Sequence, residues 1–155
     1  MSLHVVLGAG PVDQTGREQR GESGEISRVA ARRRTPTLPE GVEHVTAAVN
    51  EPEQARRACA GASVVYGCVG GDYQNWPERW PPLMVGMLAG AEEAGASFVF
   101  ADNLYMYGPG SSPMTEETPM NPSSRKGEVR VRLAEQLLSE AKSGNIKALI
   151  ARAAD

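Results

Sequence analysis

The sequence predicts an α/β protein built on a doubly wound parallel sheet in a single domain. Two observations lead there. Short apolar runs at 3–7, 42–49, 63–69, 96–101 and 147–151 have the length and near-continuous hydrophobicity of strands covered on both faces. Between them lie stretches whose apolar residues recur at the three- and four-residue spacing of a helix, joined by short connections rich in glycine and proline.

The first strand, 3–7, stops at Gly8, and a second is placed at 26–31. The crossover between them is irregular. From 13 to 24 no large apolar residue occurs and Gly16, Gly21 and Gly24 interrupt the run, so a helix there has no stripe to bury. After the third strand, Asn50 is expected to cap a helix with Pro52 in its first turn and Glu53 at its third position, closed by Gly61. Trp76 and Trp80, with Pro77, Pro81 and Pro82, lead into a helix whose inner face is Leu83, Met84, Met87, Leu88 and Ala91, with Gly95 as its stop. Val129, Leu133, Leu137, Leu138 and Ala141 repeat the pattern up to Gly144.

At 155 residues the chain is about one domain long. Its 16 basic and 19 acidic residues give a formal charge of −3, with no basic stripe for nucleic acid. Cys59 and Cys68 have no metal-ligand spacing and read as reduced, buried thiols of a cytoplasmic protein; no metal is expected. No window approaches the ~20 apolar residues of a membrane helix, and the N-terminus lacks a signal-peptide pattern.

The chemistry begins at Gly8-Ala9-Gly10-Pro11-Val12, directly after the first strand. Glycines there let the backbone turn tightly and approach a pyrophosphate, so Gly8, Gly10, Pro11 and Val12 are candidate dinucleotide contacts. Asp13 stands where the third glycine of the fingerprint belongs and puts a negative charge beside the phosphates. The end of the second strand carries Arg32, Arg33 and Arg34 with no acid nearby, which favours NADP over NAD, since an acid would hold the ribose 2′-hydroxyl and an arginine a 2′-phosphate. Asn50, after the third strand, is either a hydrogen-bonding cofactor contact or a plain helix cap, and the small residues around Val69 and Gly70, after the fourth, either let the backbone pass beneath an adenosine ribose or form an ordinary turn.

Two further stretches carry a resemblance. Asp102-Asn103-Leu104-Tyr105-Met106-Tyr107-Gly108 is similar to a strand ending in Ser-Ser-x-x-Val-Tyr-Gly. Glu116-Glu117-Thr118-Pro119 with Pro122-x-Ser124 is similar to the stretch preceding a Tyr-Gly-x-Ser-Lys helix. With the glycine turn, these resemble the extended short-chain dehydrogenase family of NAD-dependent epimerases and dehydratases. The resemblance implies a Rossmann-like domain over 1–155, corresponding to the first half of a typical member, with the C-terminal substrate region absent. It implies an oxidoreductase or epimerase acting on a hydroxyl-bearing small molecule such as a nucleotide sugar. It also implies a homodimer through the helices at 82–94 and 125–143.

Laid on the family's catalytic serine, tyrosine and lysine are Asn103, Lys126 and Arg130. An asparagine can orient an oxygen through its amide, and Lys126 would have to move the proton that a phenol moves in the family. Arg130, four residues on, falls on the same helix face as Lys126. Tyr105 and Tyr107 are near enough in sequence to be stand-in acids, the alternative being that they only pack. The unmatched triad leaves two alternatives open, a nucleotide-binding module without turnover and an inactive, truncated product.

Overall fold

The computed structural model of the chain describes residues 2–8, 26–33, 38, 40–70, 73–110 and 112–154. Six strands form one parallel sheet: β1 (Leu3–Leu7), β2 (Ile26–Ala31), β3 (Val42–Thr46), β4 (Val64–Gly67), β5 (Ser97–Asp102) and β6 (Lys147–Arg152), in the order β3-β2-β1-β4-β5-β6. The chain winds to one side of β1 and then to the other, so the switch point lies between β1 and β4, where ligands of open α/β sheets bind. The described helices are α1 (Pro52–Cys59), α2 (Trp76–Glu93), entered through a 3-10 turn at Tyr73–Asn75, and α3 (Arg125–Lys142). The irregular crossover at 13–24 lies outside the described residues.

The strands follow the apolar runs, with β3 and β4 shorter than expected. The N–H of Ala47 still reaches the Ala31 carbonyl at 3.0 Å, but that of Glu51 closes a turn onto Ala48 at 2.9 Å and the chain leaves the sheet. The cap of α1 is Glu51 and not Asn50, and no side chain caps it. Proline is the reason: the residue before Pro52 is pushed out of the helical region, and Glu51 accordingly sits at φ −101°, ψ 107°. Asn50 instead donates from Nδ2 to Glu51 Oε1 at 3.2 Å. At the other end of α1, Arg28 of β2 donates to the carbonyls of Ala58 (2.9 Å) and Ala60 (3.0 Å), satisfying orphan acceptors with a cation at the negative end of the helix.

One face of the sheet carries the core. Parallel register sets Val5 beside Val65 and Val65 beside Phe98, and Leu7 beside Ala30 and Gly67. These residues pack with Ala58 and Cys59 of α1, Met84, Met87 and Leu88 of α2, and Leu133 and Leu137 of α3. Leu138, expected on that inner face, is 42% exposed. Trp76 and Trp80 belong to α2 itself, both buried, so the tryptophan–proline segment is the start of the helix and not its approach.

The helices touch through small residues. A methyl group on Gly90 would lie 2.8 Å from Cys59 Sγ and 2.9 Å from the Ala55 carbonyl oxygen, and one on Gly86 would overlap the Val49 carbonyl. Burial pushes the Cys59 thiol up to about 12, against a smaller opposing pull from Arg28, so the group stays protonated and inert. Cys68 is half-buried, more open than the sequence suggested. On the second face, the row Val29, Val6, Tyr66, Val99, Leu149 runs from fully buried at β2 to 57% exposed at β6.

Candidate functional site

At the carboxyl edge of β1, β2 and β4 the structure has an open cavity of about 650 Å³. Gly8, Arg32, Arg33, Asn50, Val69 and Gly70 all line it, brought together from four strand ends. Gly10, Pro11, Val12 and Asp13 lie outside the described residues. The floor demands glycine at position 8. There φ is +130°, and a methyl group would stand 2.6 Å from the Cys68 carbonyl oxygen, so β1 and β4 approach more closely than any side chain permits. The turn is fixed by Gly8 N–H to Ala30 (2.9 Å) and Cys68 N–H to Leu7 (2.9 Å).

Sequence reading missed the far wall, which α2 supplies through Arg79, Pro82 and Leu83. Its signal was only helical phase, and the start of that helix was placed too late. Among the described lining residues are three arginines and no acid. Such a cavity suits a dinucleotide: a glycine cradle at its floor, apolar Val49 and Leu83 on its walls, and guanidinium groups at its mouth.

The second group of residues gathers at the carboxyl end of β5. Ser124 caps α3, its Oγ accepting the Gly127 N–H at 3.1 Å. The backbone of Gly127 then presses on the Tyr105 carbonyl, where a methyl group would overlap it, and the same methyl would lie 2.7 Å from Pro122 Cβ. This contact brings the Lys126 segment against the loop that carries Asn103. Lys126 is half-buried, and Asn103 Oδ1 accepts the N–H of Tyr105 at 3.1 Å.

Arg130 has the neighbours of a buried anchor. It is 5% exposed, and its guanidinium carbon lies 4.3 Å and 4.0 Å from the ring centres of Trp76 and Trp80. Its Nη1 stands 3.4 Å from Asp102 Oδ1, and Arg152 Nε stands 3.6 Å from Asp102 Oδ2. Arg152 continues outward, donating from Nη1 to the Tyr107 hydroxyl at 2.5 Å. Burial raises the Asp102 carboxyl above the ordinary range, with Arg130, the backbone N–H of Asn103 and Arg152 drawing it back down.

The indoles, Arg130, Asp102, Arg152 and Tyr107 thus form one chain from the core to the site. Its signal in the sequence was Asp102 itself: a carboxylate closing the apolar strand Phe98-Val99-Phe100-Ala101 needs a cation, and β5–β6 register sets it opposite Arg152. No cluster of metal-ligating side chains occurs among the described residues, nor does any described helix have the length and apolarity to cross a membrane.

No family model matches the sequence, and no curated protein does. Solved structures share its fold. A short-chain dehydrogenase/reductase superfamily protein from Agrobacterium tumefaciens with bound NAD superposes with a TM-score of 0.80 at 23% identity, over 97% of this chain and 48% of that one. UDP-N-acetylglucosamine 4-epimerase from Bacillus cereus gives 0.82 at 15% identity, over 98% and 53%. UDP-glucose 4-epimerase from Brucella ovis in complex with NAD gives 0.81 at 13% identity, over 98% and 51%. The chain has the Rossmann-like fold of these proteins and spans about half their length.

Proposed function

We propose that this chain is the dinucleotide-binding half of a short-chain dehydrogenase of the epimerase/dehydratase type, acting on a hydroxyl-bearing small molecule such as a nucleotide sugar. The observation that carries the reading is the cavity at the switch point, where Gly8, Asn50, Val69 and Gly70 meet under two arginines. Gly8 would hold the diphosphate, Asn50, Val69 and Gly70 the adenosine, and Arg32 and Arg33 a 2′-phosphate. The bound dinucleotide supplies the hydride chemistry. Lys126 is the proton-transfer group of this reading, and Asn103 orients the substrate oxygen.

Calorimetric titration with both dinucleotides is the test. NADP is expected to bind more tightly than NAD, and Arg33→Ser is expected to weaken NADP by about tenfold, the value of one charge-assisted contact, while leaving NAD nearly unchanged. Tighter binding of NAD would remove the preference, and binding of neither would remove the reading.

A second reading, nucleotide binding without turnover, is favoured by the engagement of Arg130 in the buried ion pair rather than at a substrate. Formation of reduced cofactor across a panel of nucleotide sugars, and its loss in Lys126→Ala, separates the two.

We also propose a twofold homodimer through α2 and α3. Val85 and Leu138, 48% and 42% exposed on these helices, and a groove of about 170 Å³ lined by Pro77, Pro81, Val129 and Leu133 support it. Sedimentation is expected to give a dimer that Leu138→Glu dissociates; a monomeric parent would end this proposal.

A further inference from the structure

We propose that Arg79 of α2 is the countercharge for the diphosphate of the bound nucleotide, so that the cavity at the switch point holds this anion from its helical wall as well as from its glycine floor. The inference rests on the reading of a dinucleotide-dependent site given above and assigns a residue to which that reading gives no role.

Arg79 is placed where a cation is costly without an anion. It lines the cavity, half-buried, and among the described residues no carboxylate pairs with it. A guanidinium partly withdrawn from water and lacking a countercharge favours an anionic ligand. Arg79 is also the fourth residue of α2, which begins at Trp76, and the unpaired N–H groups of that first turn already make the helix end positive. The acid beside it, Glu78, is exposed, and consecutive residues of a helix do not face one another. An anion in the cavity answers both positive charges.

The helix also sets the direction of the side chain. Leu83, four residues on, shares the face of Arg79 and lines the same wall. Because α2 connects the parallel strands β4 and β5, it runs back against them and begins at their carboxyl edge. Arg79 therefore stands one turn nearer the mouth of the cavity than Leu83.

Position separates Arg79 from the other two arginines. Arg32 and Arg33 follow β2, Arg79 follows β4, and β1 lies between, which sets those two strands ~10 Å apart. Gly8 ends the strand in the middle. A methyl group there would meet the Cys68 carbonyl oxygen at 2.6 Å, whereas one on Gly70, two residues past Cys68, would meet nothing within 4 Å. The floor is thus closed beneath Gly8 and open beside Gly70, on the side from which α2 rises. Val49 and Leu83 suit the base, Arg32 and Arg33 a 2′-phosphate, and the diphosphate over Gly8 falls to Arg79. Asp13, in the turn that follows Gly8 in the sequence, gives that diphosphate a further need for a cation.

Calorimetric titrations of the parent, Arg79→Met and Arg79→Lys test this, with inorganic pyrophosphate, ADP and adenosine as probes and 2′,5′-ADP against AMP to read the 2′-phosphate. Arg79→Met, which keeps an unbranched stem, is expected to weaken ADP and pyrophosphate about tenfold and adenosine by less than about twofold. Arg79→Lys restores the charge without the planar fork and is expected to recover part of the loss. The advantage of 2′,5′-ADP over AMP is expected to survive in Arg79→Met and to vanish in Arg33→Ser, which assigns the two phosphates to different arginines. Thermal melts confirm that the variants are folded.

An equal loss for adenosine would make Arg79 a wall or a stacking partner of the base, and would overturn the assignment. So would ADP and pyrophosphate affinities that Arg79→Met leaves unchanged, although binding of ADP and NADP by the parent would then keep the cofactor reading. Conversely, pyrophosphate binding that depends on Arg79 in a protein that binds neither adenosine nor a dinucleotide would keep the anion site and remove the cofactor reading. A parent that binds none of the probes removes both.

Discussion

Replacing Arg130 with alanine is expected to lower the stability of the protein by about 3–5 kcal/mol, the cost of breaking a buried ion pair from one side. For a chain of this size that corresponds to a fall in Tm of roughly 10 °C or more. Two losses act together. The space between the Trp76 and Trp80 rings empties, and the Asp102 carboxylate keeps only Arg152 as a countercharge.

The pH dependence gives the prediction its sign. Burial already raises the Asp102 carboxyl, and Arg130 is the largest influence opposing that rise. Without Arg130 the carboxyl rises further. A carboxyl raised in the folded state contributes stability below its unfolded value and loses it as pH climbs through the folded value. The deficit of Arg130→Ala relative to the parent should therefore be smallest in acid, where Asp102 is protonated in both, and should grow towards neutral pH. Arg130→Met, which refills the space without the charge, should recover part of the acid-range deficit and little of the rest. Thermal melts from pH 4 to pH 8 measure this; a deficit under 1 kcal/mol, or one that does not change with pH, would contradict the anchoring role.

Gly8→Ala is the second change with a large expected effect. A non-glycine residue at φ +130° is strained by about 1–3 kcal/mol, and the added methyl group would stand 2.6 Å from the Cys68 carbonyl oxygen. Backbone has to move, so β1 and β4 separate at the floor of the cavity. The expected outcome is a loss of about 2–4 kcal/mol in stability together with at least a tenfold loss in dinucleotide affinity. Denaturant titration and calorimetry measure the two. A variant that loses stability yet binds the dinucleotide as the parent does would mean that Gly8 serves the sheet and not the ligand.

The two variants differ in how far the sequence foretold them: Gly8 was legible as a turn residue, whereas the partners of Arg130 were not. Residue order alone determined the αβ alternation, the six strands within a few residues, the stops at Gly61, Gly95 and Gly144, and the glycine turn after β1. Each of these is local: apolar periodicity and the left-handed backbone of those glycines are properties of a few consecutive residues. The cap of α1 was also local, but two rules competed for it, and the restriction that Pro52 places on Glu51 prevailed over the capping preference of Asn50.

What only the tertiary structure decided is which side chains face one another across sequence gaps. Arg130 and Lys126 share a helix face, and by spacing both belonged to the site. Packing turned Arg130 inward because two indoles from α2 and the carboxylate of Asp102 offer a desolvated cation more than solvent does in that position. Arg79 came to the cavity from a helix whose start the sequence had set too late, and Arg152 came to Tyr107 through the register of β5 with β6. The sequence therefore determined the scaffold and one wall of the cavity, since those depend on neighbours in the chain. The ion pairs at the β5 end and the second wall depend on contacts between residues tens of positions apart, which no local pattern encodes.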